Sequence, residues 1–201
     1  MTTTGRLTWK ELLQRALDSN SHLKHSSFFQ LSTLGLNGSP SNRTVVFRGF
    51  EDNTDRIHIQ TDNRSRKVLE LRNRPVAEIC WYLADSWEQF RINGTVEIID
   101  SSNPNSHRLQ QRERAWYTCS LRSRMQYLGP APGLPHLIET EHSSCQYSLD
   151  PSEGPVGTFC LLVLDPEEID YLNLKNNSRM NFTCSKGPRE EKCWTVKMIN
   201  P

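Results

Sequence analysis

Short runs of β-branched and aromatic residues recur along most of this chain, and turn residues separate one run from the next. This arrangement constrains the fold most, because Val, Ile, Thr, Tyr and Phe favour strands while Gly, Pro, Asn and Asp favour turns. The segment NGSP between the first two runs is typical of a hairpin turn. The predicted strands are FFQLSTL (28–34), RTVVFRGF (43–50), RIHIQT (56–61), VAEICWYLA (76–84), EQFRINGTVEIID (88–100), TFCLLVLD (158–165), EIDYLNLK (168–175), RMNFTC (179–184) and KCWTVKMIN (192–200). Consecutive hairpins of this kind predict a mostly β (α+β) fold, an antiparallel β-barrel with added helices.

Two helices are predicted in the first half of the chain. Thr8 and Glu11 fit a capping box, and an apolar stripe from Trp9 to Leu17 follows the cap. A second helix is predicted over about residues 65–73. It ends ahead of Pro75, because the residue before a proline disfavours the helical conformation.

A third helix is predicted to begin with Asn103 as its N-cap and Pro104 at its first position. Farther along, residues 127–157 contain five prolines and four glycines. These residues prevent regular strand pairing, so we predict a long irregular loop that is mobile when no substrate is bound. The length suits one domain with its own core, and residues 1–201 are predicted to form a single domain.

The charge balance of the chain limits its partners. Lys and Arg number 24 and Asp and Glu number 23, which gives a formal net charge of +1. This balance argues against a protein that works on nucleic acid or on an anionic membrane surface. The N-terminus shows no secretory signal and no run approaches the length of a membrane span, so we expect a cytoplasmic protein.

The sequence contains no recognisable catalytic constellation. The six cysteines form no C-x-x-C pair and most lie in apolar runs, so buried reduced thiols are expected and a metal site is not. No nucleophile elbow occurs, and His58 is expected to be a packed or edge residue of its strand. A catalytic protein without an acid, base, nucleophile or metal needs a cofactor to supply the chemistry.

Three stretches carry residue types that bind a phosphorylated cofactor. RTVVFR places Arg43 and Arg48 on opposite faces of one strand, since side chains alternate. TDNRSRK combines hydroxyls and cations where a strand meets a helix N-terminus, a position that suits a phosphate monoester. QFRINGTVE carries Gln89 on a strand, with Gly94 allowing a close backbone approach or a bend.

In this order, the three stretches resemble the signature of the pyridoxamine 5'-phosphate oxidase family. The family pattern reads R-x-V-x-x-[KR], then T-x-x-S-R-K opening a helix, then Q-x-R-[IV]-x-G. The segment AWYTCSLRSR also resembles the family's Trp-containing segment, and the resemblance covers about residues 9–201. It implies an antiparallel split β-barrel with peripheral helices that binds FMN at the interface of a homodimer.

The resemblance also implies roles for individual residues. The cofactor-binding positions are Arg43, Thr44, Val45, Val46, Gln60, Thr61, Ser65, Arg66, Lys67 and Gln89. The strand that begins at Arg43 would lay its backbone along the isoalloxazine ring. Arg66 and Lys67 would bind the phosphate, and Gln89 would hydrogen-bond the ring. Of the family residues that bind the substrate phosphate, Arg48 would be the one that this sequence retains.

The substrate side departs from the family pattern. Three helix positions that carry Tyr, Arg and Ser in the family fall near Asn103, His107 and Gln111 here. The C-terminal segment NNSRMNF offers Arg179 but lacks the family's R-x-H pair. Arg48 would then hold a substrate phosphate alone, and each missing charged contact would cost roughly 1.5–3 kcal/mol of binding. We therefore expect FMN binding with poor turnover of pyridoxamine 5'-phosphate.

Two functions remain open from the sequence. One is a flavoprotein oxidoreductase that transfers a hydride to or from an unidentified small molecule. The other is an FMN-binding or FMN-sensing module without turnover, whose flavin site would look the same. A nucleic-acid-binding barrel is disfavoured by the balanced charge and by the lack of an aromatic-plus-basic surface pattern.

Overall fold

A single antiparallel sheet dominates the computed structural model, which describes residues 7–135, 148–186 and 192–201. The strands within these residues are β1 (Phe28–Leu34), β2 (Pro40–Val46), β3 (Ile57–Asp62), β4 (Val76–Leu83), β5 (Glu88–Ile99), β6 (Phe159–Asn173), β7 (Ser178–Lys186) and β8 (Lys192–Ile199). The α-helices are α1 (Trp9–Ser19), α2 (Arg66–Asn73), α3 (Ser106–Tyr117) and α4 (Leu121–Met125). None of the helices in this part of the chain is long and apolar enough to cross a membrane.

The strands follow the order β2-β1-β4-β5-β6-β7-β8, and β3 pairs with the first part of β6, while β7 pairs with its last part. β2 and β3 are not paired as a ladder; the segment after β2 meets β3 through an isolated bridge from Phe50 to Ile57 and through backbone hydrogen bonds of Arg48 and Gly49 with His58. The sheet therefore curls into a barrel without closing continuously. This arrangement agrees with the mostly β fold that the alternating runs predict.

One strand is longer than the sequence indicates. The runs TFCLLVLD and EIDYLNLK, predicted as separate strands, form the continuous strand β6. Pro166 lies opposite Gly94 of β5, where the pairing register shifts. A Cβ built on Gly94 would lie 2.1 Å from the carbonyl oxygen of Asp165, so only glycine fits. The bulge lets one strand pass through a proline that would otherwise break the ladder.

The inner face of the sheet forms the main core. Phe29, Leu31, Ile79 and Ile92 are fully buried there, and α1 covers one end of the barrel with Trp9. Each large side chain of this kind contributes about 1.5–3 kcal/mol when it is fully removed from water. A second apolar cluster, built on Trp116 and Phe159, lies outside the barrel, between α3 and β6.

The helix starts follow local capping chemistry. Both hydrogen bonds of the predicted Thr8–Glu11 capping box are present. The prediction that α3 begins after Asn103 is wrong. Asn105 is the N-cap, and its side chain accepts from the backbone N–H groups of His107 and Arg108. The Asn103 side chain instead accepts from the backbone N–H of Asn105, which forms a turn ahead of the helix.

The segment 127–157 is only partly described, because residues 136–147 lie outside the described ranges. Its described parts are irregular apart from a short 3₁₀ turn at Gln126–Leu128. The part after residue 148 is anchored to α3 and α4. Arg124 donates to the Pro151 carbonyl at 2.8 Å, and Trp116 donates to the Glu153 carbonyl at 2.9 Å. These contacts tie residues 151 and 153 to the helices, and the mobility of the loop stays a prediction.

All cysteines in the described ranges are free thiols, as the sequence predicts. Cys119 and Cys160 are buried, whereas Cys193 is exposed on β8, so the expectation of burial is wrong there. Position 193 lies on a hairpin that extends beyond the barrel, where fewer elements cover the strand. Cys145 lies outside the described residues.

Candidate functional site

The start of α2 gathers two hydroxyls and one ammonium group. Lys67 Nζ donates to Thr61 Oγ1 at 3.0 Å and to Ser65 Oγ at 3.2 Å. The two hydroxyl oxygens are 3.4 Å apart, which is within reach of a shared ligand. Ser65 is the N-cap of α2, but its side chain makes no capping hydrogen bond. We call Thr61, Ser65 and Lys67 the α2 corner.

The electrostatics of the α2 corner favour an anion. Burial lowers the pKa of Lys67 below its ordinary value, and Arg43 nearby lowers it further. Within the described ranges, the Lys67 ammonium group hydrogen-bonds only the two neutral hydroxyls of the corner. A phosphate would accept from all three side chains and from the backbone N–H groups at the helix start. These residues fit the phosphate of FMN.

Arg43 and Arg66 do not point into the α2 corner but share the carboxylate of Glu70. Arg43 Nη2 lies 2.7 Å from Glu70 Oε2, and Arg66 Nε lies 3.1 Å from Glu70 Oε1. Glu70 is fully buried, which by itself raises its pKa. Hydrogen bonds from Thr33, Ser41 and Arg43 outweigh burial and hold the pKa below its ordinary value. The Arg66 side chain is 72% exposed, so its guanidinium is accessible from solvent.

Glu70 was not identified from the sequence. Its signal was available, because Glu70 follows Arg66 by four residues and lies on the buried face of α2. The second partner of Glu70, Arg43 on β2, could not be predicted from helical spacing, because it is 27 positions away along the chain.

The strand β2 presents its predicted ring-lining residues to two different faces. The side chain of Val45 is buried in the core, whereas Thr44 is exposed and Val46 half-buried on the outer face. Opposite Val46 lies the exposed ring of Phe28. A flavin along β2 would therefore meet the backbone and the outer side chains, as the proposed backbone contact requires.

Gln60 lies beside α3, one residue before the α2 corner. Its Nε2 donates to the Ala115 carbonyl at 2.8 Å and to Thr118 Oγ1 at 3.2 Å. The Cys119 thiol donates to its Oε1 at 3.1 Å, and burial raises the pKa of that thiol. These contacts fix the orientation of the Gln60 amide.

Gln89 is remote from the α2 corner in the sheet. It lies near the start of β5 on the outer face, where Cys80 Sγ is 4.0 Å from its Oε1. Gln89 pairs with Leu172 near one end of β6, while Thr61 pairs with Cys160 near the other end. The structure therefore brings Thr61, Ser65 and Lys67 together but leaves Gln89 apart from them.

A polar cavity of about 520 Å³ lies between α3, β3 and the turn after β2. Side chains about one helical turn apart on α3 face the cavity, together with His58 of β3 and Arg48, which follows the end of β2. The lining residues that carry charge or hydrogen-bonding groups include Arg48, Glu51, Asp52, Arg56, His58, Gln60, His107, Gln111, Arg114 and Thr118. His107 and Gln111, which align with substrate-binding helix positions of the family, therefore line the same cavity as Arg48.

Glu51 organises one wall of this cavity. Its Oε1 accepts from Arg108 Nη1 and from Gln111 Nε2, both at 2.5 Å, and its Oε2 is 3.3 Å from Arg56 Nη1. Burial raises the pKa of Glu51, but the hydrogen bonds from Gln111 and Arg108 outweigh it, so the carboxyl pKa is lowered. Glu51 was not singled out from the sequence, because it lies in a turn without a recognisable pattern.

His58 faces the same wall without a hydrogen-bond partner for its buried Nε2 among the described residues. Burial lowers its pKa, Glu51 and Asp52 raise it and Arg108 lowers it. The imidazole is therefore held in its neutral form more strongly than in water. It is a strand residue as predicted, and it also lines the cavity.

The expectation that Arg48 alone of the family set binds the substrate phosphate stays a prediction, but Arg48 is not the only arginine in this cavity. Arg56 and Arg114 line the same cavity. Arg56 is neutralised by Glu51 and Asp165, whereas the Arg48 and Arg114 side chains form no ion pair or hydrogen bond within the described ranges. Arg179 lies elsewhere and forms a two-point ion pair with Asp170.

The chain is similar in sequence and in structure to several known proteins. A family model described as the pyridoxamine 5'-phosphate oxidase FMN-binding domain matches residues 6–100. Over 193 residues, 96% of each chain, the sequence is 59% identical to a protein of Arabidopsis thaliana named pyridoxine/pyridoxamine 5'-phosphate oxidase 2. A bacterial pyridoxine/pyridoxamine 5'-phosphate oxidase, from Thermosynechococcus vestitus, is 33% identical over 44% of this chain and 41% of its own length.

Two solved structures extend the comparison. A pyridoxamine 5'-phosphate oxidase-related, FMN-binding protein of Nostoc punctiforme is 35% identical and superimposes with a TM-score of 0.86, covering 98% of this chain and all of that one. PhzG of Burkholderia lata superimposes with a TM-score of 0.68 at 16% identity, covering 94% of this chain and 91% of its own, and shares the fold.

Proposed function

Because this chain belongs to the pyridoxamine 5'-phosphate oxidase family of FMN-binding proteins, we propose that it is an FMN-dependent oxidoreductase acting on a small molecule. The family assignment confirms the split-barrel fold class and FMN as the cofactor. The observation that carries the proposal is that β3 contributes consecutive residues to the cavity and to the α2 corner. Gln60 lines the cavity and Thr61, the next residue of β3, belongs to the corner. Successive side chains of a strand point to opposite faces, so the cavity and the α2 corner lie on the two sides of β3, one residue apart along the strand.

The proposed division of labour assigns binding and orientation to the protein. FMN, when bound, accepts or donates the hydride, so no side chain has to act as a nucleophile. Lys67, Ser65 and Thr61 would hold the cofactor phosphate, and the fixed amide of Gln60 would shape the boundary between cofactor and cavity. Arg66 would join them from the exposed side of α2. Arg48 would face the substrate.

We further propose that residues 1–201 form one domain, that two copies assemble into a homodimer and that the protein is cytoplasmic. One sheet runs from β1 to β8, which supports a single domain. Phe28 and Tyr82 expose 45% and 46% of their surface on the outer face, and Gln89 is separated from the α2 corner. Both observations favour a flavin shared between two copies over one held within a single copy. Replacing Phe28 and Tyr82 with Asp should convert a dimer to a monomer in light scattering and release FMN.

The experiment that tests the enzymatic function is anaerobic reduction of the FMN-loaded protein. Pyridoxamine 5'-phosphate and pyridoxine 5'-phosphate are the first compounds to test, since the name of the Arabidopsis relative points to them. Bleaching of the flavin absorption and recovery with oxygen would support an oxidase. A flavin that binds tightly but is reduced by neither these compounds nor NADPH would favour the alternative, an FMN-binding module without turnover.

A further inference from the structure

Helix α3 presents a stripe of side chains to the cavity, and one member of the stripe is an arginine that forms no ion pair or side-chain hydrogen bond with any described residue. His107, Gln111 and Arg114 are separated by four and three positions, which places them on one helix face. Building on the proposed function, we propose that Arg114 acts together with Arg48 to bind an anionic group of the substrate. Arg114 then determines the preference of this protein for phosphorylated over unphosphorylated substrates.

The other arginines near the cavity are already neutralised. Arg108 contacts Glu51 at 2.5 Å and Glu97 at 2.6 Å, so two carboxylates share one guanidinium. Arg56 likewise lies 3.2 Å from Asp165 and 3.3 Å from Glu51. A ligand could recruit these groups only by displacing a carboxylate. Among the described residues, Arg48 and Arg114 are the arginines of the lining that carry uncompensated charge.

Arg48 and Arg114 belong to the same end of the cavity. The backbone N–H of Arg48 donates to the His58 carbonyl of β3. Gln60, two residues farther along β3, donates to Ala115 and Thr118 near the C-terminal end of α3, which places the Arg48 backbone near that end. Arg114 lies one turn ahead of Thr118 on this end of the helix. Glu51, by contrast, is held by Gln111 and Arg108 one turn farther toward the N-terminus. The substrate anion is therefore expected between Arg48 and Arg114, away from the carboxylate of Glu51.

Two guanidinium groups suit a phosphate monoester. Each planar group can donate two parallel hydrogen bonds to a phosphate, and two positive charges balance its dianion. The family pattern has an arginine where this chain has His107. In this arrangement Arg114, about two helical turns farther along the same stripe, takes its place. The substrate phosphate is then held by two cations, which restores the contacts that the departures remove.

The test compares two ligands on the FMN-loaded protein by anaerobic titration calorimetry. Arg114→Gln should weaken binding of pyridoxamine 5'-phosphate by about tenfold or more and change the binding of pyridoxamine by less than about twofold. Arg114→Lys should retain part of the affinity because it keeps the charge. Arg122→Gln, a matched loss of charge at an exposed position of α4 outside the cavity, should bind both ligands as the unaltered protein does.

Equal binding of pyridoxamine 5'-phosphate by Arg114→Gln and the unaltered protein would overturn the inference, as would an equal loss for both ligands. An unaltered protein that does not distinguish the two ligands would also overturn it. The outcomes separate this inference from the proposed function. Arg114-dependent binding without flavin reduction supports the inference and contradicts the oxidase, whereas flavin reduction that is insensitive to Arg114→Gln does the reverse.

Discussion

The Arg43 guanidinium contacts the fully buried carboxylate of Glu70 at 2.7 Å, joining β2 to α2 at one end of the barrel. The same guanidinium donates to Thr33 Oγ1 at 2.5 Å and to Ser41 Oγ at 2.6 Å. An arginine of the cofactor motif thus holds together the two elements that would frame the flavin.

Glu70→Ala should destabilise the protein strongly, because it leaves the partly buried Arg43 without its counter-charge. Loss of one partner of such a pair costs about 3 kcal/mol. Urea unfolding would measure the change in the free energy of unfolding, with Glu113→Ala, at an exposed position of α3, as the control. A double change, Arg43→Met with Glu70→Leu, should recover part of the loss. Similar stabilities for Glu70→Ala and the control would contradict a structural role for this ion pair.

Lys67→Ala should weaken FMN binding more than Arg66→Ala. Lys67 is half-buried between two hydroxyls, whereas the Arg66 side chain is 72% exposed and pairs with Glu70. We expect a loss of about tenfold or more for Lys67→Ala and release of FMN by the double variant. Recovery of free-flavin fluorescence on dilution measures the affinity. Arg72→Ala, at the other end of α2, is the control, and retention of FMN by the double variant would exclude the α2 corner as the phosphate site.

Gln89→Glu should lower the reduction potential of the bound flavin with only a modest loss of FMN affinity. A carboxylate near the ring disfavours the electron-rich reduced flavin. A shift of about 30 mV corresponds to roughly 1.4 kcal/mol for a two-electron couple. The potential can be measured by reduction against a reference dye, with Gln110→Glu, exposed on α3, as the charge-matched control. Equal potentials in Gln89→Glu and the unaltered protein would place Gln89 outside the flavin site.

Gly94→Ala should disrupt the junction between β5 and β6. The added Cβ would lie 2.1 Å from the Asp165 carbonyl oxygen, so two backbones must separate. We expect a loss of about 2 kcal/mol or more in the free energy of unfolding. Gly154→Ala is the matched control, because a Cβ there meets no atom within 4 Å and its φ is not positive. Comparable thermal midpoints for the two variants would mean that the bulge adapts without cost.

His58 should make stability depend on pH near neutrality. Burial depresses its folded-state pKa below the ordinary value of 6.5, with Glu51 and Asp52 opposing and Arg108 reinforcing that shift. The unfolded chain then binds the proton more readily, so the stabilising effect of neutral His58 is present above the unfolded pKa. It is lost as the pH falls through 6.5 toward the folded pKa.

Between about pH 7 and pH 5, the free energy of unfolding should therefore fall more steeply in the unaltered protein than in His58→Asn. Chemical unfolding at several pH values measures both slopes. The comparison removes the contribution of other titrating groups, which the two proteins share. Parallel slopes would show that the imidazole titrates as it does in water.

The sequence alone determined the local parts of this protein. The alternation of side chains specifies most strands, because it decides which face of each run is buried. The α2 corner could also be predicted from the sequence. Thr61, Ser65 and Lys67 fall within seven consecutive positions that run from the end of a strand through a turn into a helix. Their geometry follows from short-range backbone structure, and so does the capping box at Thr8.

The tertiary structure decided what depends on partners far apart in the chain. Glu70 contacts Arg43, which is 27 residues away in the sequence, and Glu51 contacts Gln111, which is 60 residues away. The two runs of β6 become one strand only because Gly94 accommodates its bulge. Whether an arginine is neutralised, like Arg108, or left to meet a ligand depends on which carboxylates the fold brings near it. The spacing of residues in the sequence does not give the distances between these side chains, because packing between distant parts of the chain determines them.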